Sequence, residues 1–249
     1  MSYVNATTNA GITTIEFYTE AHNSLPGKEL ALLAEAIDGA GKDDASRVII
    51  LRSGGERTFC AGASFDELIA VSNEAEGLAF FSGFARVINA MRRCPKFIIG
   101  RVQGKAVGGG VGLLSACDLV YATKYASIKL SELAIGIGPF VIGPAVSRKA
   151  GFASFNEMSI RADEWFSPAY AKTQGLYTEV LEDGAALDKA VLAKAETLAG
   201  WHVEAMMEMK RVLWEGTEHW DALLKERAAI SGTLVTKEWT KNKLSEIKG

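Results

Sequence analysis

Three short segments carry residues able to do chemistry. The plainest is Glu132, in Leu130-Ser131-Glu132-Leu133-Ala134-Ile135-Gly136-Ile137-Gly138-Pro139-Phe140. It is the only acidic residue between Asp118 and Glu157, and the stretch after it is almost wholly apolar. A carboxyl in such surroundings is expected to have a raised pKa and to exchange protons near neutrality. The alternative is a solvated glutamate at a loop edge. The second segment is Gln103-Gly104-Lys105-Ala106-Val107-Gly108-Gly109-Gly110-Val111-Gly112. Three successive glycines before a helix leave amides unshielded, at the positive end of the helix dipole, where they can stabilise negative charge developing on an oxygen. Close packing of helix on strand is the competing explanation. The third is Phe59-Cys60-Ala61-Gly62-Ala63-Ser64-Phe65. Small residues around Gly62 permit a sharp turn, and the Ala63 N–H beside a helix start is free to donate. A tight strand-to-helix turn with no ligand explains it equally well.

Other chemistries find no support. Gly100-Arg101-Val102-Gln103-Gly104-Lys105 is one residue short of a phosphate loop and lacks the Ser/Thr after lysine. The glycine cluster is not GxGxxG, and no serine sits in GxSxG. His22, His202 and His219 are too scattered for a metal site. Cys60, Cys94 and Cys117 are odd in number and lack CxxC spacing, as expected of reduced thiols in a cytoplasmic chain.

The elements that must position these segments fit 249 residues in one large domain or a core with an appendage. Apolar residues make up 48% and charged residues 23%, which excludes a disordered chain. Lys+Arg 27 against Asp+Glu 30 leaves a net charge of −3, without the basic surplus that duplex nucleic acid demands, while a small anionic ligand needs only a few local donors. The start lacks a basic and apolar leader pattern, and Asn5-Ala6-Thr7 matches a glycosylation sequon that is read as chance. No segment is long and apolar enough to span a bilayer, so a soluble protein is expected.

Ile12–Tyr18, Val48–Leu51, Phe97–Ile99, Leu119–Tyr121 and Ser127–Leu130 read as strands. Leu30, Leu33, Ala34 and Ile37 recur with helical spacing behind Pro26, with Gly39 and Gly41 as a stop. Ser64 and Glu67 form a capping box for a second helix. Leu78, Phe81, Phe84, Val87, Ile88 and Met91 define a long helix ending before Pro95. Strands alternating with helices predict an α/β architecture, and the pattern turns helical from Ala185. The expected division is therefore a core over 1–185 and a helical region over 186–249.

Taken in this order, the segments resemble the enoyl-CoA hydratase/isomerase (crotonase) superfamily. The Phe59–Phe65 loop looks like its first CoA and oxyanion segment, and Gln103–Gly110 with Ala116-Cys117-Asp118-Leu119 looks like its second. The resemblance implies a spiral of ββα units followed by a C-terminal helical trimerisation region, in a homotrimer or dimer of trimers. It implies that the Ala63 and Gly109 amides form an oxyanion hole for an acyl-CoA thioester, with Glu132 as acid/base. Ala61, Gly62, Ala63, Ser64 and Phe65 would line the CoA path together with Gly108, with Asn23, Ser24 and Leu25 nearby. Phe140, followed by Val141 and Ile142, suits an apolar acyl pocket. Lys241 and Lys243 are candidates for the CoA phosphates. No metal or separate cofactor is implied, since coenzyme A enters with the substrate.

The departures from the family pattern bear on the reaction. Hydratases of this family generally use two glutamates, and the first falls at Gly112 here. Pro139-Phe140-Val141-Ile142-Gly143 replaces the usual Pro-Gly-x-Gly-Gly and looks more like the Δ3,Δ2-enoyl-CoA isomerase branch. Ser64 and Asp66 replace the family's common acidic and basic residues in the first loop. The expected reaction is therefore double-bond isomerisation. Hydration, acyl-CoA decarboxylation or hydrolysis, and a catalytically silent CoA-binding protein stay open.

Overall fold

The computed structural model describes residues 2–248. A hairpin opens the chain, pairing β1 (Tyr3–Asn9) with β2 (Ile12–Tyr18) in antiparallel register. Ala10 and Gly11 close it at φ 49° and 81°, the positive values that a two-residue turn needs to match the twist of its strands. β1 is mostly exposed and polar, so it offers no apolar alternation to read, and Asn5-Ala6-Thr7 lies in this edge strand. α1 (Gly27–Lys42) runs straight through the expected stop at Gly39 and Gly41. A methyl on Gly41 would lie 3.3 Å from Pro95 Cδ and 3.4 Å from Cys94 Sγ, so that glycine serves close packing rather than termination.

The next part of the chain repeats one plan three times. β3 (Val48–Ser53) and β4 (Thr58–Cys60) lead into α2 (Phe65–Ala70) and α3 (Glu74–Arg93). β5 (Phe97–Val102) and β6 (Lys105–Val107) lead into α4 (Gly109–Ala116). β7 (Leu119–Thr123) and β8 (Ile128–Lys129) lead into a 3₁₀ turn at Leu133–Ile135 and then α5 (Gly143–Ala150). The first strand of each pair joins a six-stranded sheet, and the second joins a three-stranded sheet of order β4-β6-β8. All pairings within these repeats are parallel. The three segments with chemical potential thus follow the ends of the three strands of the small sheet.

The chain continues through α6 (Phe152–Ile160), α7 (Pro168–Thr173) and β9 (Glu179–Leu181), which completes the large sheet in the order β1-β2-β3-β5-β7-β9. α8 (Gly184–Ala199), α9 (Val203–Leu213), α10 (Trp220–Val235) and α11 (Glu238–Lys248) follow. A division at residue 185 runs through the first turn of α8. That helix belongs with the sheet: Leu187, Val191, Ala195 and Leu198 pack with Val48, Ile50, Ile99 and Tyr121. The opposite face, with Ile49, Leu51 and Ile98, packs with α1, α3 and α4 in the main core. Burial on both faces is why the parallel strands read as continuous apolar runs. α10 lies along α3 so closely that a methyl on Gly77 would fall 2.6 Å from Gly232 Cα. Among the described residues no helix is long and apolar enough to cross a membrane.

Asp118, part of the second motif, is bonded to β5 of the large sheet and to α9. Its carboxylate pairs with the buried Lys210 of α9 at 2.6 Å and accepts the Ile98 N–H at 2.7 Å. Removing one member of a buried pair leaves the other charge uncompensated, at a cost of about 3–5 kcal/mol. Asp118→Ala is expected to lower the unfolding free energy obtained from urea titration by an amount in that range, and Lys210→Met in the same background to recover part of it. An Asp118→Ala midpoint equal to that of the unaltered protein would contradict this role.

Candidate active site

The loop after β4 is held from behind. Leu25 N–H donates to the Gly62 carbonyl (2.8 Å), and Ser64 N–H donates to the Leu25 carbonyl (3.1 Å). This is a parallel bridge between Leu25 and Ala63. Such a bridge uses the peptides on either side of Ala63, so the Ala63 N–H points the other way, into a cavity of about 460 Å³ that Ala61, Gly62, Ala63 and Phe65 line. Among the described residues the Ala63 N–H has no hydrogen-bond partner. Asn23, Ser24 and Leu25, expected near the CoA path, do not line this cavity. Asn23 is a buried brace: Nδ2 donates to the Gly54 and Thr58 carbonyls at 2.8 Å each, and Oδ1 accepts from Thr19 N–H. Gln103 braces the same strand, donating from Nε2 to Thr58 O and Ser53 Oγ.

Ser64 also lies outside the cavity wall. Its hydroxyl caps α2 by accepting the Glu67 N–H at 3.4 Å. The return half of the expected capping box does not form, because Glu67 Oε2 accepts the Gly27 N–H at the start of α1 instead.

The loop after β6 meets the first loop through glycine. Gly62 has φ +93°, and a methyl there would sit 3.2 Å from the Val107 carbonyl oxygen and 3.7 Å from the Gly109 nitrogen. Gly109 opens α4, so its N–H has no partner within the helix, and it lines the same cavity. α4 is apolar on every side and buried, with its positive end turned to the cavity. Beneath the loop, the Cys60 thiol is buried and its pKa is pushed up to about 12, which leaves it inert as a nucleophile.

Glu132 completes the group. Gly108, at φ +51°, lets the carboxylate close in: a methyl on Gly108 would lie 2.9 Å from Glu132 Oε1. Glu132 as a residue is half-buried, yet its Oε2 is shut off from solvent and has no hydrogen-bond partner among the described residues. Burial pushes its carboxyl up to about 7, against a smaller pull from its own backbone N–H. The rest of the wall is apolar, with Phe80, Phe81 and Phe84 of α3 and the run from Pro139 through Phe140 to Ile142.

The two candidate lysines part company. Lys243 lines the cavity and pairs with Glu246 at 2.9 Å. Lys241 does not reach it, because its ammonium is spent on the carbonyls of Ile69 and Val71 at the end of α2. Sequence reasoning missed Asp163, a second carboxylate residue on the cavity wall. It is exposed, and its carbonyl accepts from Lys129 Nζ at 2.8 Å. No spacing ties it to the other three segments, so no sequence signal marks it.

A carboxyl raised from 4.5 to about 7 binds a proton in the folded protein across a range where the unfolded chain has released it. Its contribution to stability is therefore full below the ordinary carboxyl range and is lost as pH rises through about 7. Glu132→Gln, uncharged throughout, is expected to melt above the unaltered protein at about pH 8, with the difference vanishing below the ordinary carboxyl range. Parallel melting curves across that range would refute the burial argument.

A family model described as Enoyl-CoA hydratase/isomerase matches residues 7–242. The mitochondrial methylglutaconyl-CoA hydratase of Rattus norvegicus is 33% identical over 223 residues, covering 87% of this chain and 70% of that protein. The peroxisomal Delta(3,5)-Delta(2,4)-dienoyl-CoA isomerase of Arabidopsis thaliana is 29% identical over 185 residues, covering 68% of this chain and 65% of the isomerase, just under two thirds of its length. Among solved structures, enoyl-CoA hydratase from Bacillus halodurans superposes with a TM-score of 0.90 at 20% identity, over 98% of this chain and 100% of that one, a likeness of fold. An enoyl-CoA hydratase from Mycobacterium smegmatis gives a TM-score of 0.80 at 28% identity, over 86% and 83%. The small sheet, its three loops and a match over nearly the full length lead to one conclusion: the chain belongs to the enoyl-CoA hydratase/isomerase family.

Proposed function

We propose that this protein moves a carbon–carbon double bond from C3 to C2 of an enoyl-CoA thioester. The thioester oxygen sits between the Ala63 and Gly109 N–H groups. Ionised Glu132 removes a proton from C2, and the C–H electron pair passes into an enolate whose charge rests on that oxygen. Protonated Glu132 then delivers the same proton to C4 as the C3–C4 double bond becomes C2–C3 and the carbonyl reforms. Atoms balance, and the carboxylate is regenerated. A donor aimed at a developing oxyanion is typically worth about 10²–10³ in rate.

The observation that carries this reading is the space beside Gly112. Hydration is easiest with two groups, one to activate water and one to protonate carbon, and the family resemblance places the first glutamate at this position. A Cβ at Gly112 would lie 2.4 Å from Ile142 Cγ2 and 3.6 Å from Ile88 Cδ1. Apolar side chains fill the place where a second carboxylate would project. Of the two carboxylates lining the cavity, Glu132 alone is withdrawn from solvent. A single base able to shuttle one proton suits isomerisation.

Among the described residues Asp163 gives the hydratase alternative its only other acid at the wall, and it separates the two reactions experimentally. With 3-hexenoyl-CoA and crotonyl-CoA as substrates, the expected result is isomerisation without hydration. Glu132→Gln should abolish it by about 10³-fold or more, and Asp163→Asn should leave it within a few fold. Because Glu132 must be ionised in the free enzyme, kcat/KM should rise with pH through about 7 and then level off. Hydration of crotonyl-CoA that disappears in Asp163→Asn would establish the two-acid reaction instead. Turnover indifferent to Glu132→Gln would reject the base assignment.

A further inference from the structure

A second cavity, of about 440 Å³, adjoins the first, and Gly138, Pro139 and Phe140 line both. Glu132 lines the first and its neighbour in sequence, Leu133, lines the second. Phe140 forms the partition. Its ring lies over Gly138, where a methyl would fall 2.5 Å from Cζ, and the residue is half-buried. The second cavity has mostly apolar walls with one cation, Arg227 of α10.

Arg227 differs from Arg101 and Arg92, two arginines that the fold pairs with carboxylates. Arg101 of β5 is matched to Asp188 by two hydrogen bonds, and Arg92 of α3 donates to Asn89 and Asp221. Arg227 is half-buried, with Nε cut off from solvent, yet among the described residues Nε has no acceptor and the guanidinium enters no ion pair. A desolvated N–H without a partner is costly, and a guanidinium fork fits a planar carboxylate in bidentate fashion. Ser147 of α5 and Asn156 of α6 line the same space and can add neutral donors.

We infer that the second cavity is a subsite for a carboxylate at the far end of the acyl chain, received by Arg227. The enzyme's substrates would then be ω-carboxy acyl-CoA thioesters rather than simple fatty acyl-CoAs. This deepens the proposed isomerisation and rests on it for the identity of the reacting end, while binding of the tail is separable from chemistry. An acyl chain whose C2–C4 segment lies under Glu132 passes Phe140 and brings its terminus to Arg227. A methyl terminus leaves the guanidinium unmatched, whereas a carboxylate satisfies it.

The test compares chains of one length that differ only at the terminus. Calorimetric titration with adipoyl-CoA and hexanoyl-CoA, both unreactive towards isomerisation, should show about 10–10²-fold tighter binding of the carboxylate, the range for a charge-assisted hydrogen bond. Arg227→Met should remove that preference while retaining hexanoyl-CoA affinity, and Arg227→Lys should keep part of it. In turnover, kcat/KM should favour 3-hexenedioyl-CoA over 3-hexenoyl-CoA by a similar factor, and only the former should fall in Arg227→Met. Equal affinity for the two saturated thioesters in the unaltered protein would overturn the subsite. An equal loss on both in Arg227→Met would do the same, reducing Arg227 to a packing role. If Arg227→Met changed the oligomeric state by light scattering and no carboxylate preference existed, the cation would belong to a contact between copies and the subsite would be rejected. A carboxylate preference without isomerisation would uphold the subsite and reject only the proposed reaction.

Discussion

The close approach of three backbone loops at two glycines sets the terms for everything else in this molecule. Gly62 lets the loop after β4 come against Val107 and Gly109, and Gly108 lets the loop after β6 come against the Glu132 carboxylate. Both have positive φ, where a side chain is strained, and both face an atom that a Cβ would crowd. The parallel small sheet brings the three strand ends to one edge, and the glycines bring the loops together beyond it. Asn23, Gln103 and Leu25 contribute from the other side by fixing β4 and its loop. For the proposed reaction their value is orientation: a donor aimed in advance at a developing charge need not reorganise when the charge appears.

The same arrangement carries a stability cost. A carboxylate oxygen without a partner and out of solvent destabilises the folded chain at neutral pH, and the apolar wall of α3 and the Pro139–Ile142 run sustains that cost. The compensation lies elsewhere: the central strands of the large sheet are packed on both faces, and the buried Lys210 is matched by Asp118. α11 closes over the site from within the same chain. Thr240 of this helix donates to the Gly136 carbonyl, and Lys241 ties it to the end of α2, which leaves Lys243 beside the cavity.

Legibility in the sequence followed physical scale. Val48–Leu51 and Phe97–Ile99 announced themselves because both faces of those strands are buried. β4, β6 and β9 have only three residues each, too few for a periodic signal, although two of them hold the site. The glycines after β4 and β6 were legible because strained backbone leaves few choices of residue, and Glu132 was legible because it stands alone in an apolar stretch. What was not legible depends on contacts across long separations. The bridging of Asn23 to β4, the diversion of Lys241 to the Ile69 and Val71 carbonyls, and the arrival of Asp163 at the cavity wall are of this kind. Gly41 misled for a related reason: its neighbour is Pro95, more than fifty residues away in sequence, and no local pattern reveals that it packs rather than stops a helix.

The proposed reaction depends most on the Ala63 and Gly109 amides acting together on one oxygen. The most direct measurement is the infrared stretch of a thioester carbonyl, labelled with ¹³C, in saturated hexanoyl-CoA bound to the protein. Two convergent N–H donors should lower that frequency below its value in water, and Gly109→Ala, whose methyl would collide with the Phe84 ring at 2.3 Å, should return it towards that value. A bound carbonyl that absorbs at or above its frequency in water would contradict the account.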